Sequence, residues 1–391
     1  MNMSAEKNPS AKSSSRTSIG LMLVLSVVIF PLAGCKDKST AAGSPPNLPV
    51  ADASHAPASF ADVVSQAAPA VVTIRSERRV RAPQQYPFYN DPFFRRFFGT
   101  PAPRPQGEMR EHGLGSGVIV TPDGYIITNH HVIDGTEEIK VDLSNNKSYD
   151  AKLVGSDPAS DLAVLKISAR DLPVLPLADS DKVRVGDVAL AIGSPLGLAQ
   201  TVTAGIISAK GRRTGVSDGS FEDFLQTDAP INQGNSGGAL INTNSALIGI
   251  NSQILSPTGG NIGIGFAIPS NMARNVMEQL IEHGRVRRGL LGVIIQEITS
   301  EIAQTLGLGD RRGAAVKQVQ TGGPAAQAGI REGDVIVAVN GTLVNDGNSL
   351  RNQIASTEPG TEVTLTIFRD GREQQVRAKL GEFIRATDNA E

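Results

Sequence analysis

From Val71 onward, apolar residues come in short runs bounded by Gly, Asn and Asp. Runs of this length read as strands buried on one or both faces. They fall at Val71–Arg75, Gly117–Val120, Tyr125–Thr128, Glu138–Leu143, Ala151–Val154, Leu162–Ile167, Val188–Ile192, Thr201–Ser208, Phe224–Thr227, Ala246–Asn251 and Gly265–Ile268. So many closely spaced strands predict a sandwich or barrel. No strand–helix alternation is visible, which argues against a doubly wound nucleotide-binding fold. The first convincing helical spacing is Ser270–His283, where Ala273, Val276, Met277, Leu280 and Ile281 share a face. Ser270 is its candidate cap and Gly284 its stop. Arg285-Val286-Arg287-Arg288 reads as a connector, dividing the folded chain into residues 60–284 and 285–382.

The second unit predicts strands at Leu291–Ile295, Ala315–Val319, Val335–Val339, Val363–Phe368 and Gln375–Leu380. Its helices fall at Ser300–Leu306 and Ser349–Ser356. Asn340-Gly341 and Asp370-Gly371 predict tight turns. Residues 383–391 read as a tail. Between the first two strands, Ser76 to Glu111 is long for a connection. It carries several Pro together with Phe88, Phe93, Phe94, Phe97 and Phe98. It reads either as a disordered insert or as a regulatory loop that docks on a surface.

The pattern changes before residue 60. Lys7, Lys12 and Arg16 precede an apolar stretch from Ile19 to Leu32, the layout of an export signal. The stretch is short of the ~20 residues a spanning helix needs. Leu32-Ala33-Gly34-Cys35 ends on the chain's single cysteine and resembles a bacterial lipobox, with Cys35 lipidated after removal of the preceding segment. An uncleaved anchor helix and a plain secretory signal are the alternatives. All three place the folded part outside the cytoplasm. Residues 36–59, rich in Ala, Ser and Pro, read as a flexible tether.

Composition narrows the function. Lys plus Arg number 37 and Asp plus Glu 39, for a net charge of -2, so the basic footprint of a nucleic-acid binder is missing. One Cys excludes an intramolecular disulfide and a Cys-based zinc site. No motif calls for a metal or a cofactor, and none is expected.

The most informative stretch is Gly234-Asn235-Ser236-Gly237-Gly238. A nucleophilic serine needs an exposed hydroxyl and backbone N–H groups that converge on the developing oxyanion. Flanking glycines permit such a turn, and the N–H groups of Gly234 and Ser236 are the candidates. The serine needs a base. Of the five His, His130 and His131 follow a predicted strand, in Thr128-Asn129-His130-His131-Val132. The base needs an orienting carboxylate, and Asp161 stands immediately before the apolar run Leu162–Leu165. The order His, Asp, Ser is that of the chymotrypsin-like double barrels rather than of the α/β-hydrolases or subtilisins.

With these motifs, and with Gly115-Ser116-Gly117-Val118-Ile119 and Gln226-Thr227-Asp228-Ala229, the sequence resembles the HtrA (Deg/Do) family of bacterial envelope serine proteases from about Phe60 to Gly381. The resemblance selects the histidine directly before Val132, giving a triad of His131, Asp161 and Ser236. It implies an all-β fold: a trypsin-like pair of six-stranded barrels followed by one PDZ domain. It implies an apolar substrate pocket lined by Ile231, Ile254 and Ile264, suited to small aliphatic side chains. Leu290-Leu291-Gly292-Val293 matches the PDZ carboxylate-binding loop, which implies partners that are misfolded envelope proteins or peptide C-termini. It further implies a homotrimer, held in the periplasm at a membrane through the N-terminus, that works without ATP. The rival reading from another class is a peptide-binding chaperone or scaffold in which proteolysis is secondary.

Overall fold

The computed structural model describes residues 59–384 except 81–108, 195–199, 216–220, 233, 255–260, 307 and 309–311. The first six strands are β1 (Val71–Val80), β2 (Met109–Ile119), β3 (Tyr125–Thr128), β4 (Glu138–Asp142), β5 (Ser148–Asp157) and β6 (Leu162–Ile167). They close into an antiparallel barrel in the order β1-β2-β3-β6-β5-β4. The next six are β7 (Val188–Gly193), β8 (Thr201–Arg212), β9 (Phe224–Thr227), β10 (Ala239–Ile241), β11 (Leu247–Ile254) and β12 (Gly265–Pro269). They close in the order β10-β11-β12-β9-β8-β7.

The apolar runs follow from this arrangement. Val72, Ile74, Ile119, Ile126, Val141 and Leu165 fill the first barrel. Their strand neighbours Val71, Val118, Ile127, Leu162 and Val164 face outward into a seam, where they meet Leu190, Ile192, Ile241, Ile250 and Ile268 of the second barrel. A strand buried on both faces cannot alternate apolar and polar residues, so Leu162–Leu165 reads as continuous hydrophobe. Each fully buried branched side chain contributes about 1.5–3 kcal/mol, which makes the seam a rigid platform.

Helix α1 (Ala61–Ala67) precedes the barrels and α2 (His130–Ile133) follows β3. Helix α3 (Ser270–His283) leaves the second barrel and ends at Gly284 in a left-handed cap, φ 69°. A second domain follows. Its strands are β13 (Gly289–Leu290), β14 (Val293–Gln296), β15 (Ala314–Val319), β16 (Val335–Val339), β17 (Thr342–Leu343), β18 (Glu362–Arg369), β19 (Arg372–Lys379) and β20 (Gly381–Glu382). Its helices are α4 (Ser300–Leu306), α5 (Pro324–Gln327) and α6 (Gly347–Ala355). The main sheet runs β14-β15-β16-β18-β19, with β17 paired to β16, so β14 is an edge strand. Asn340 and Gly341 both take positive φ between β16 and β17, as do Asp370 and Gly371 between β18 and β19.

Several sequence expectations need correction. Pro269, not Ser270, occupies the N-cap of α3; the Ser270 hydroxyl instead donates to Ala178 O at 2.7 Å. The segment expected as a loop from Ser76 to Glu111 begins and ends as strand, because β1 and β2 stay paired out to Val80 and Met109. That ladder rests on backbone bonds and needs no apolar pattern. The five clustered Phe lie outside the described residues. The strand expected over Leu291–Ile295 is broken, since Gly292 takes φ 78° between β13 and β14. Helix α6 starts two residues early because Asp346 caps it, accepting from Ser349 N at 2.7 Å while its own N–H donates to Ser349 Oγ at 3.1 Å. Helix α1 and the three-residue β10 were not expected.

The domains meet through a small apolar cluster, in which the Phe221 and Phe383 rings stand edge to face, and through polar groups. Arg288 clasps Asp157 with both ends of its guanidinium, and both side chains are almost fully buried. The Phe221 ring sits 4.5 Å from the Arg288 guanidinium and 4.3 Å from that of Arg351. Asn348 and Asn352 of α6 both donate to Glu222 O, at 2.9 and 2.8 Å.

Candidate active site

His131, Asp161 and Ser236 come together where the barrels meet. His131 lies on the short helix α2, just after β3. Asp161 occupies the turn before β6, in a left-handed conformation (φ 56°) that Asp adopts more readily than most residues. Both Asp161 carboxylate oxygens lie 2.9 Å from His131 Nδ1, and Oδ1 also accepts from His131 N at 3.0 Å. The neighbouring His130 donates only its backbone N–H to Asp161 O, and its ring approaches Asp134 at 3.8 Å. The carboxylate therefore orients His131 and not His130. Asn129 Nδ2 adds a bond to Asp161 O at 3.0 Å.

The second barrel supplies Ser236 and a residue the sequence reading missed, Ser252. Ser252 Oγ donates to Asp161 Oδ2 at 2.9 Å, and Ser252 O accepts from Ser236 Oγ at 2.9 Å. Ser252 is 2% exposed on β11, beside the fully buried Asn251. Two buried polar residues side by side in a largely apolar strand are a signal, because buried polar groups need partners.

The turn that carries Ser236 has almost every backbone group engaged. Gly234 O accepts from Ser116 Oγ, Asn235 N donates to Asn232 O, and Asn235 O accepts from Gly238 N. Ser236 O accepts from Ser116 N, and Gly237 N donates to Asn251 O. Among the described residues, the N–H groups of Gly234 and Ser236 have no partner, although both residues are buried. Two buried donors left open side by side are a site for an anion. The glycines are required by space as well as by conformation. A Cβ on Gly237, at φ 80°, would lie well inside contact distance of Ser116 O and Thr128 Oγ1.

Comparison with known proteins agrees with this geometry. Residues 115–250 match the trypsin-like peptidase domain family, and residues 262–380 match the PDZ domain family. The chain is 46% identical over 344 residues to the periplasmic pH-dependent serine endoprotease DegQ of Escherichia coli, covering 88% of this chain and 74% of that one. The chain belongs to the HtrA-type serine endoproteases. It is also 42% identical over 382 residues to the periplasmic serine endoprotease DegP of E. coli, covering 92% of this chain and 78% of that one. Among solved structures, the HtrA-type protease AlgW with a tripeptide superposes with a TM-score of 0.66 at 43% identity, covering 84% of this chain and 99% of that one. The serine endoprotease of Yersinia pestis gives 0.54 at 41%, covering 84% and 100%.

In this HtrA-type protease the three expected pocket isoleucines do not form one cluster. Ile231 and Ile254 are almost fully buried together in the core of the second barrel, with Leu240, Ile248 and Ala267. Ile264 is only partly buried and packs on the seam between the barrels. Gly265 keeps the space open beside Ile231, whose Cδ1 lies 2.9 Å from where a Cβ would stand. In the PDZ domain, Leu290 pairs with Gly381, while Leu291 O and Gly292 O accept from Ala325 N and Gln320 N, both at 2.9 Å. Their carbonyls are thus tied inward, just before the exposed edge strand β14. Cys35 lies outside the described residues.

Charge in the protease site is one-sided. Burial opposes a charge on His131, but the adjoining Asp161, through its negative charge and its hydrogen bond, holds the imidazole pKa above its ordinary value. Burial likewise pushes Asp161 up. The charge of His131, its ring and backbone N–H bonds and the Ser252 hydroxyl outweigh this and hold the carboxyl below its usual range. A base must be neutral to accept a proton, so if His131 is that base, activity should rise with pH as it deprotonates. The acid limb of kcat/KM should lie above the ~6.5 of a free imidazole. Asp161→Asn should move that limb to lower pH as well as reduce kcat. A limb unmoved by the substitution would show that Asp161 does not set the proton affinity of His131.

Proposed function

We propose that His131, Asp161 and Ser236 hydrolyse peptide bonds as one unit. Ser236 Oγ attacks the scissile carbonyl carbon, and its proton passes to His131 Nε2. The carbonyl oxygen becomes an oxyanion held by the N–H groups of Gly234 and Ser236. His131 then gives the proton to the leaving amine, and water repeats the sequence on the acyl-enzyme. Asp161 keeps Nδ1 protonated, so that Nε2 is the basic nitrogen, and stabilises the imidazolium that forms. The observation that carries the reading is the Asp161 carboxylate on His131 Nδ1, with Ser252 touching both that carboxylate, through its hydroxyl, and Ser236 Oγ, through its carbonyl, beside two open backbone donors.

The substrates we infer are misfolded or regulatory proteins of the bacterial envelope, cut after small aliphatic residues. Ile231, Ile254 and Ile264 supply the apolar contacts, and a charged side chain among them would be left unpaired, which is costly. The PDZ domain receives a free C-terminus. The peptide adds as a strand to the edge of β14, with its carboxylate at the backbone of Leu290, Leu291, Gly292 and Val293. Helix α6 touches the protease domain through Asn348, Asn352 and Arg351, which supports a regulatory reading over simple tethering. Residues 60–284 and 285–382 are the two domains of this scheme. The protein acts in the periplasm as a homotrimer without ATP, attached to a membrane through lipid on Cys35.

Three experiments check the scheme's separate parts. Ser236→Ala and His131→Ala should each lower kcat on casein by about 10⁴-fold or more, and His130→Ala far less. A dead His130→Ala beside an active His131→Ala would invert the assignment. Chromogenic peptides cut after Val or Ala should turn over faster than those cut after Lys or Arg, and an added peptide with an apolar C-terminus should raise the rate. Loss of that activation in a chain ending near Arg285 would support regulation, and preference for Lys or Arg would sink the pocket reading. Cys35→Ala should move the protein from the membrane fraction to the soluble periplasm, whereas an intact, unlipidated Met1–Cys35 segment in the mass spectrum would contradict lipidation.

A further inference from the structure

Ser116 lies on β2 between Gly115 and Gly117 and is fully buried. A buried hydroxyl among branched apolar side chains needs partners, and those of Ser116 span both barrels. Its N–H donates to Ser236 O at 2.8 Å, and its carbonyl accepts from Thr128 Oγ1 at 2.7 Å. Its hydroxyl donates to Gly234 O at 2.6 Å and accepts from Ser194 N, beyond the end of β7, at 2.8 Å. One residue of the first barrel thus grips the nucleophile turn of the second at two points.

The hydroxyl's grip falls on a particular peptide. The Gly234–Asn235 peptide stands between the two open donors, with the Gly234 N–H before it and the Ser236 N–H after it. Its nitrogen end is tied within the turn, through Asn235 N to Asn232 O at 3.0 Å. Among the described residues its oxygen end is held by Ser116 Oγ. Gly234, at φ 94°, has no side chain to resist rotation of that plane. Hydrogen bonds weaken steeply as their angle departs from linear, so two donors serve one oxyanion only while the peptide between them stays fixed.

We infer that Ser116 is a positioning residue for peptide-bond hydrolysis: its hydroxyl fixes the Gly234–Asn235 peptide so that the Gly234 and Ser236 N–H groups converge on the oxyanion. The inference rests on the reading of those two groups as oxyanion donors. Ser116 touches neither substrate nor the reacting atoms. Its loss therefore weakens binding of the transition state and leaves ground-state binding of the peptide alone.

The test compares Ser116→Ala with Thr73→Val in the full-length protein. The second variant removes another hydroxyl bond at the seam, from Thr73 Oγ1 to Ser194 Oγ, neither of which bonds to Ser116 or to Gly234 O. Loss of one whole oxyanion donor costs about 10²–10³ in kcat. Misalignment should cost less, so Ser116→Ala is expected to lower kcat about 10- to 100-fold with KM within about twofold. Affinity for a peptidyl boronate should fall in proportion to kcat/KM, and Thr73→Val should stay within about twofold of wild type throughout. Wild-type kcat in Ser116→Ala, a change confined to KM, or an equal loss in Thr73→Val would overturn the inference. If Ser116→Ala gives no folded protein, Ser116→Cys, with a weaker donor of similar size, reads the same split: reduced kcat at unchanged KM supports the role and wild-type kcat refutes it. A crystal structure of the wild-type boronate adduct separates the two levels. A boronate oxygen about 3 Å from both nitrogens upholds the oxyanion reading whatever the variants do; an oxygen away from both removes that reading and this inference with it.

Discussion

The structure depends on the close approach of two backbones at Gly237. There the turn carrying the nucleophile presses against β2 so tightly that no side chain fits between Gly237 and the carbonyl of Ser116. Most of the seam between the barrels is apolar side chains, which pack without direction. Packing of that kind brings surfaces together but does not orient a peptide plane. The bonds of Ser116 to Ser236 O and Gly234 O, and of Gly237 N to Asn251 O, provide the orientation. The site is therefore a property of the interface between the barrels and belongs to neither alone.

Electrostatics follow from the same placement. His131 and Asp161 come from the first barrel, while the Ser252 hydroxyl that completes the carboxylate's shell comes from the second. A buried carboxylate without such partners would be driven toward its neutral form. With three N–H or O–H donors around it, Asp161 stays ionised and makes His131 a stronger base. Asp157, four residues earlier, is clasped by Arg288 at the start of the PDZ domain. The segment that positions the orienting carboxylate is thus also the segment the second domain holds, giving a short physical path from PDZ domain to triad.

Much of this was legible in the sequence, and the reasons are physical. Tyr125–Thr128, Leu162–Ile167, Phe224–Thr227 and Val335–Val339 were read to their ends, because strands buried on both faces are largely hydrophobic runs bounded by turn residues. The proposed triad could be written down from its glycine turn and residue order, although choosing His131 over His130 needed the family resemblance. The outer halves of β1 and β2 were missed because that ribbon is charged and held by backbone bonds. Ser252, Ser116 and Thr128 were missed as site residues for a different reason. Each is a small buried hydroxyl whose partners lie on other strands or turns, so only the closed barrels reveal what it touches. Of the proposed pocket residues, Ile231 and Ile254 share a cluster inside the second barrel, while Ile264 packs on the seam between the barrels.

The claim that the backbone contact at Gly237 sets the chemistry can be measured directly. The rate at which a peptidyl phosphonate labels Ser236 reports nucleophile and oxyanion site together, without any contribution from product release. In Gly237→Ala, a side chain is forced into the left-handed conformation and against Ser116 O, so the turn must shift. The account predicts that this variant retains the β-rich circular dichroism of the wild type while phosphonate labelling slows by about 10²-fold or more, the scale of a lost oxyanion donor. Labelling of a folded Gly237→Ala at the wild-type rate would contradict it.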